Sequence, residues 1–199
     1  MICYSFLAAS GATSLDQTFL FSNDEAALGL AKDYDNITIP CFERPDSVSH
    51  DTATSDETVQ YFLNQFPTQV LPEFLVILQP TSPLRTSQDI DAAVQLFLDS
   101  DATSLVSVNQ ARKPIHWTYE QTEGNRLKPA FQDNKQLVIP NGAIYIVKTA
   151  NIMSGMPIAG ENMIGYEMPW FRSMDVDTLE EMVWIETFFK QKGFIELNG

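Results

Sequence analysis

Apolar positions recur along this chain with two different periods. Residues 2–9 are apolar with no turn residue, a pattern open to a helix or a buried strand. Residues 17–21, QTFLF, predict a short strand, and Ser22-Asn23-Asp24 then offers N-caps for a helix through Ala26, Ala27, Leu30 and Ala31. Residues 37–42, ITIPCF, predict a second strand. Thr54 and Glu57 have capping-box spacing ahead of Val59, Tyr61, Phe62 and Phe66, and Pro67 stops that helix. FLVIL at 74–78 is continuously apolar, which predicts a strand covered on both faces, parallel and central. Thr86 or Ser87 then caps a helix with a buried stripe of Ile90, Ala93, Val94 and Phe97. SLVSV at 104–108 and AIYIV at 143–147 predict two more strands. MDVD at 174–177 ends another, with Asp177 capping a helix that carries Leu179, Met182, Val183, Ile185 and Phe189.

Strands alternating with helices predict an α/β protein with a Rossmann-like, doubly wound, mostly parallel sheet, whose ligands sit at the carboxyl ends of strands. Periodicity fades between 109 and 140, where Arg112, Lys113, Arg126, Lys128 and Lys135 lie, so an excursion from the sheet is expected there. A length of 199 residues, 44% of them hydrophobic, allows one domain over 1–199. The net charge of −14 repels a phosphate backbone, so nucleic acid is not an expected partner. Cys3 and Cys41 are too few for a disulfide framework, and two histidines leave no Cys/His zinc pattern, which favours the reducing cytoplasm. The opening MICYSFLAASGATS lacks the basic start of a secretory leader, since the first cation is Lys32. No run approaches the ~20 apolar residues of a membrane span.

Three segments and two single residues carry candidate chemistry. Asp175 and Asp177 flank Val176, so on an extended segment both project to one side, where they suit Mg²⁺ or Mn²⁺; a helix cap beside a solvated carboxylate is the plainer alternative. The loop QPTSPLR presents Gln79, Thr81, Ser82 and Arg85 at a strand's end, stiffened by two prolines, either as a binding loop or as a turn feeding the next helix. HDTATSDE, residues 50–57, can hold an anion or a polar base, or simply cap. His116 has no nucleophile at a catalytic spacing and reads as structural or substrate-facing, while Tyr145 either stacks on a ligand or packs in a half-buried layer.

Taken together, ERPDSVSHDTATSDE, LQPTSPLRTSQDIDAA, NGAIYI and SMDVDTLEEM occur in an order that resembles the acylneuraminate cytidylyltransferases. The resemblance implies the nucleotide-diphospho-sugar transferase type of sheet and transfer of CMP from CTP to a sialic-acid-like sugar acid, with release of pyrophosphate and help from Mg²⁺ or Mn²⁺. It also implies roles by position. Arg44, Thr52, Ala53 and Ser55 stand where the family holds cytidine; Gln79, Thr81, Ser82, His116, Asn141 and Tyr145 stand on the sugar-acid side; Asp175 and Asp177 stand as catalytic metal ligands. A homodimer is implied, with residues 110–170 reaching across to the other subunit.

Three departures change what is expected. Family members open with a strand and a loop of the form ARxGSKGxxxKN that wraps the triphosphate. This sequence has no match to that loop, and MICYSFLAAS resembles the helix that follows it, which settles residues 2–9 as helix. The first family strand is therefore expected to be missing. QTFLF and FLVIL should then either pair directly or flank a strand from another chain. Only Lys32 and Arg44 are basic before Arg85, so unaided CTP turnover is doubtful. Third, KPIH places His116 where the family has a Lys, and Phe131 replaces an Arg before the NGA turn; a ring cannot fork onto a carboxylate. Besides catalysis, a non-catalytic homologue that binds a nucleotide or sugar acid is the main alternative. A metal-dependent nucleotide-sugar glycosyltransferase, read from Asp175-Val176-Asp177, ranks below it.

Overall fold

The computed structural model describes residues 1–50, 53–111, 113, 118–130 and 137–192. The order is α1 (Ile2–Gly11), β1 (Thr18–Phe19), α2 (Glu25–Ala31), β2 (Ile37–Thr38), α3 (Ser55–Leu63), β3 (Phe74–Ile77), α4 (Ser87–Leu98), β4 (Ser104–Gln110), β5 (Tyr119–Thr122), β6 (Arg126–Pro129), β7 (Val138–Lys148), α5 (Thr149–Met153), β8 (Met163–Glu167) and α6 (Leu179–Lys192). Local chemistry starts the helices as the residues predict. Asp24 accepts from the N–H groups of Ala26 and Ala27, and Thr54 closes its capping box with Glu57. Thr86 does the same with Asp89, a shorter acid than the usual partner. α3 ends at Leu63, ahead of Pro67.

The main sheet is mixed, in the order β3-β7-β4-β8. β7 runs antiparallel to both β3 and β4, while β4 and β8 are parallel. Its residues alternate between faces. Ile144 and Ile146 join Ile90, Ala93, Val94 and Phe97 of α4 on one side; Tyr145 and Val147 meet Leu63 of α3 and Ile152 of α5 on the other. Both faces are covered by helices, as expected for this class.

FLVIL forms β3, but neither its expected central place nor its expected parallel pairing is seen. β3 pairs antiparallel with β7, and among the described residues no strand pairs with its other edge. All four of its residues are half-buried rather than buried. A continuous apolar run reports that both faces are covered; it says nothing about which edges are paired.

QTFLF does not pair with FLVIL either. β1 pairs in parallel with β2 as a separate two-stranded unit. That unit is attached by side chains. Phe6 of α1 packs with Leu20, Ala31 and Ile37, while Phe19, Phe21 and Phe42 set their rings 5.2–5.7 Å from Phe62 of α3. α1 touches both lobes, since Ala8 belongs to the core over the main sheet, which explains its apolar character all round.

The expected excursion includes an antiparallel hairpin of β5 and β6, with β6 exposed throughout. No helix among the described residues is long and apolar enough to cross a membrane.

Candidate active site

The site is built around a break in the β4–β7 ladder. The register passes from Val106 opposite Tyr145 to Val108 opposite Pro140, so residues 141–144 bulge opposite Ser107. Buried Ser107 holds the bulge. Its hydroxyl donates to Asn141 Oδ1 at 2.5 Å and accepts the Ile144 N–H at 2.7 Å. Asn141 Oδ1 also accepts the Ala143 N–H, and its Nδ2 donates to Ser173 Oγ at 2.8 Å. The Asn141 side chain is thus spent within the scaffold.

Gly142, at the tip, has φ +74°, where an L-residue is strained. A Cβ there would stand 2.6 Å from Gln79 Oε1 and 3.8 Å from Asp175 Oδ2. The Gln79 amide and the Asp175 carboxylate therefore converge on one point over the bulge. Tyr145 lies near it: burial, and then the Asp175 charge, push its phenol above its ordinary value. The sequence places Gln79, Tyr145 and Asp175 far apart; the fold brings them together.

No strand forms at 174–177, and Asp177 is not the helix cap. Thr178 is the residue that closes a capping box with Glu181: its hydroxyl accepts the Glu181 N–H at 3.3 Å, and Glu181 Oε2 accepts the N–H groups of Asp177 and Thr178 at 2.9 Å. These bonds hold the exposed Glu181 carboxyl below its ordinary range. The Asp177 carboxylate is left for other work. Val176 is buried and its N–H donates to the Thr81 carbonyl at 2.8 Å, so the exposed Asp175 and Asp177 flank an anchored residue. Neither carboxylate has a hydrogen bond among the described residues.

That donor set suits a hard divalent cation. The Asp175 carboxylate beside the Gln79 amide oxygen, with the exposed Asp177 two residues on, is a donor set of the kind that could hold Mg²⁺, which keeps several waters and takes one or two carboxylates together with substrate phosphate. Among the described residues no group of three or more His, Cys, Asp or Glu gathers, so a closed protein cage is not what these residues form.

The rest of the Gln79 loop is structural. Ser82 is buried, with its hydroxyl 3.4 Å from the Asn141 carbonyl, and Thr81 serves through its backbone. Arg85 does not face the cleft, as the loop reading implied. It is 2% exposed, donating to the carbonyls of Gln79 (3.2 Å) and Ala143 (2.6 Å) and to Ser5 Oγ (2.7 Å). Burial pulls its guanidinium down to about 10, opposed by the Asp89 charge.

On the other lobe, Arg44 donates to the Val48 carbonyl, with Nε at 3.0 Å, and reaches Thr58 Oγ1 at 3.4 Å; partial burial lowers its guanidinium value. Ala53 donates its N–H to His50, and exposed Ser55 opens α3. Thr52, His116 and Phe131 lie outside the described residues.

One cluster has no sequence signal at all. Arg172, in a 3-10 turn at Trp170–Arg172, forks onto buried Asp89, Nε to Oδ2 at 2.9 Å and Nη2 to Oδ1 at 2.8 Å. Tyr166 adds its hydroxyl to the same carboxylate at 3.3 Å, and burial first, then Asp89, push that phenol up to about 12.

Gly142→Ala tests the convergence. The φ penalty should cost about 1 kcal/mol in urea unfolding. The new methyl should also displace the Gln79 amide, a flexible side-chain end, and shift its side-chain NMR signal. An unmoved Gln79 side-chain amide signal would mean that Gln79 does not stand over Gly142.

No family model matches the chain. It is 31% identical over 158 residues to an N-acylneuraminate cytidylyltransferase of Streptococcus agalactiae serotype V, covering 72% of this chain and 38% of the relative. It is 25% identical over 185 residues to the enzyme of the same name from Escherichia coli O18:K1:H7, covering 89% of this chain and 43% of the relative. The chain thus spans about two fifths of the length of these relatives. Among solved structures, a CMP:2-keto-3-deoxy-manno-octonic acid synthetase complexed with CTP superposes with a TM-score of 0.67 at 13% identity, covering 96% of this chain and 88% of that one. The fold is therefore that of the sugar-nucleotide cytidylyltransferases, and by sequence over most of its length the chain is a homologue of the N-acylneuraminate cytidylyltransferases.

Proposed function

We propose that this site transfers a cytidylyl group from CTP to a hydroxyl of a sialic-acid-like sugar acid. The observation that carries the reading is the convergence of Gln79 and Asp175 on Gly142, with Tyr145 near enough for the Asp175 charge to raise its phenol. The acceptor hydroxyl oxygen forms a bond to the α-phosphorus, the bond to pyrophosphate breaks, and the hydroxyl proton leaves to solvent. Asp175 and Asp177 are the residues that would hold Mg²⁺, which when bound supplies charge neutralisation on the phosphate oxygens. Gln79 and Tyr145 orient the acceptor through an amide and a phenol. Gly142, lacking a Cβ, lets the Gln79 amide close over the bulge. Arg44, Thr52, Ala53 and Ser55 take the cytidine side. Nucleotidyl transfer depends mainly on positioning, so no side-chain nucleophile is called for.

Neutralising the triphosphate is the weak point of residues 1–199. Arg85 is committed to two carbonyls and a serine, and Arg172 to Asp89, so neither guanidinium serves a phosphate. Turnover in this reading requires a cationic phosphate loop of the kind the sequence resemblance implies, and a graft tests it. Pyrophosphate release is measured with CTP, Mg²⁺ and sialic acid, using residues 1–199 alone and with a strand-and-cationic-loop segment grafted ahead of Met1. Turnover restored by the graft supports the reading; silence in both rejects catalytic competence. The commitment of Arg85 and Arg172 to the scaffold favours the second reading, a binding protein without the reaction. Calorimetry with CTP, CMP and sialic acid tests it, and no heat with any of them rejects it.

The exposed Tyr119 and Leu127 on the hairpin, with Val138 and Ile139 at the start of β7, offer a surface to a second copy. A homodimer follows from this reading, and a monomeric mass in sedimentation would exclude it. A cytoplasmic setting fits two free thiols, Cys41 exposed.

A further inference from the structure

We propose that Arg172 is a positioning residue for the Asp175–Asp177 pair, acting through its fork onto Asp89; the inference rests on the metal reading above. The segment that carries the two carboxylates has no strand pairing of its own, so its course is set by point contacts. Downstream of Asp175 these are the Val176 N–H on the Thr81 carbonyl and the burial of Val176 against Leu84 and Ile185. Upstream, Asn141 Nδ2 reaches Ser173 Oγ, and Arg172 is fixed to Asp89.

The Asp89 anchor is rigid for reasons visible in α4. Its carboxylate is 1% exposed, accepts the Thr86 N–H at 3.0 Å and the Thr86 hydroxyl at 2.8 Å, and thereby closes the helix's capping box. A single carboxylate thus fixes the start of α4 and, through two parallel bonds, the turn three residues ahead of Asp175. A planar fork sets direction as well as distance, which a single ammonium does not. The side chain is three-quarters buried, and its charge is neutralised on the scaffold instead of being offered to the cleft. Arg172 therefore acts on the carboxylates that follow it without touching a ligand.

The test is calorimetric titration with Mn²⁺ alone on the full chain, its Arg172→Met and Arg172→Lys variants, and Tyr166→Phe. Each protein is also unfolded thermally. Tyr166→Phe removes a bond to the same Asp89 carboxylate but leaves the 170–177 segment attached, so it reports what mere loosening of this cluster does. Arg172→Met should weaken Mn²⁺ binding about tenfold, in the range typical of residues that orient metal ligands. Arg172→Lys should fall between it and the wild type, and it carries the test alone if the Met variant does not fold. Tyr166→Phe should bind Mn²⁺ as the wild type does even if its unfolding temperature drops. Wild-type affinity in both Arg172 variants overturns the inference, and so does equal weakening in Tyr166→Phe. No Mn²⁺ binding by the wild type rejects the metal reading itself and this inference with it, a result distinct from the other two.

Discussion

Replacing Arg85 by methionine is expected to cost about 3 kcal/mol of stability, a large share of the ~5–15 kcal/mol a domain has. Two effects oppose each other. Removing a buried cation relieves its desolvation, which is substantial, since burial is the largest influence lowering its guanidinium value. Against that, the carbonyls of Gln79 and Ala143 and the Ser5 hydroxyl lose their donor inside the protein, at about 1–3 kcal/mol for each group left without a partner. The Gln79 carbonyl keeps the Ser82 N–H at 3.4 Å, so two such losses remain, and they outweigh the relief. The contacts join α1, the Gln79 loop and the β7 bulge, so the variant should also unfold with a lower midpoint in urea and weaken sugar-acid binding. An unchanged midpoint would mean that the guanidinium does not hold these three elements together.

Asp175→Asn should show the opposite profile. The carboxylate is exposed and has no hydrogen bond among the described residues, so stability should change by no more than about 0.5 kcal/mol. Mn²⁺ affinity should fall on the order of 100-fold, because an amide oxygen replaces one of only two charged donors. The Tyr145 phenol should also titrate lower in an ultraviolet pH titration, since the Asp175 charge helps to raise it. Asp177→Asn should match the loss of metal while leaving Tyr145 unmoved. Full Mn²⁺ binding by the doubly substituted protein would remove the metal from the site.

Much of this arrangement is legible in the residues because it is local. Asp24, Thr54 and Thr86 each start a helix through a bond to a backbone or side-chain group two or three positions on, a distance a sequence displays directly. The stripe Ile90, Ala93, Val94 and Phe97 is buried as its spacing predicts. At Asp177 the local signal is misleading: two candidate caps stand side by side, each with an acid three positions on, Glu180 or Glu181, and the box forms at Thr178 with Glu181. Strand pairing is another matter. FLVIL shows its apolar faces but not the direction of its neighbour, since antiparallel β7 lies some 70 positions away. The Asp89–Arg172 fork spans 83 positions, and Arg85 to Ser5 spans 80. No periodicity records contacts of that range. The candidate site itself divides the same way, with its residue types visible as motifs and its geometry created by a bulge that only a folded ladder has.

The open edge of β3 bears on how the protein behaves at high concentration. Among the described residues that edge has no partner strand and the four side chains of β3 are apolar, which makes it a template for edge-to-edge aggregation between copies. The net charge of −14 works against such contacts by mutual repulsion. Concentrated salt shortens the reach of that repulsion to a few ångströms, so precipitation on salting, with β-rich material in the pellet, is the hazard this fold carries.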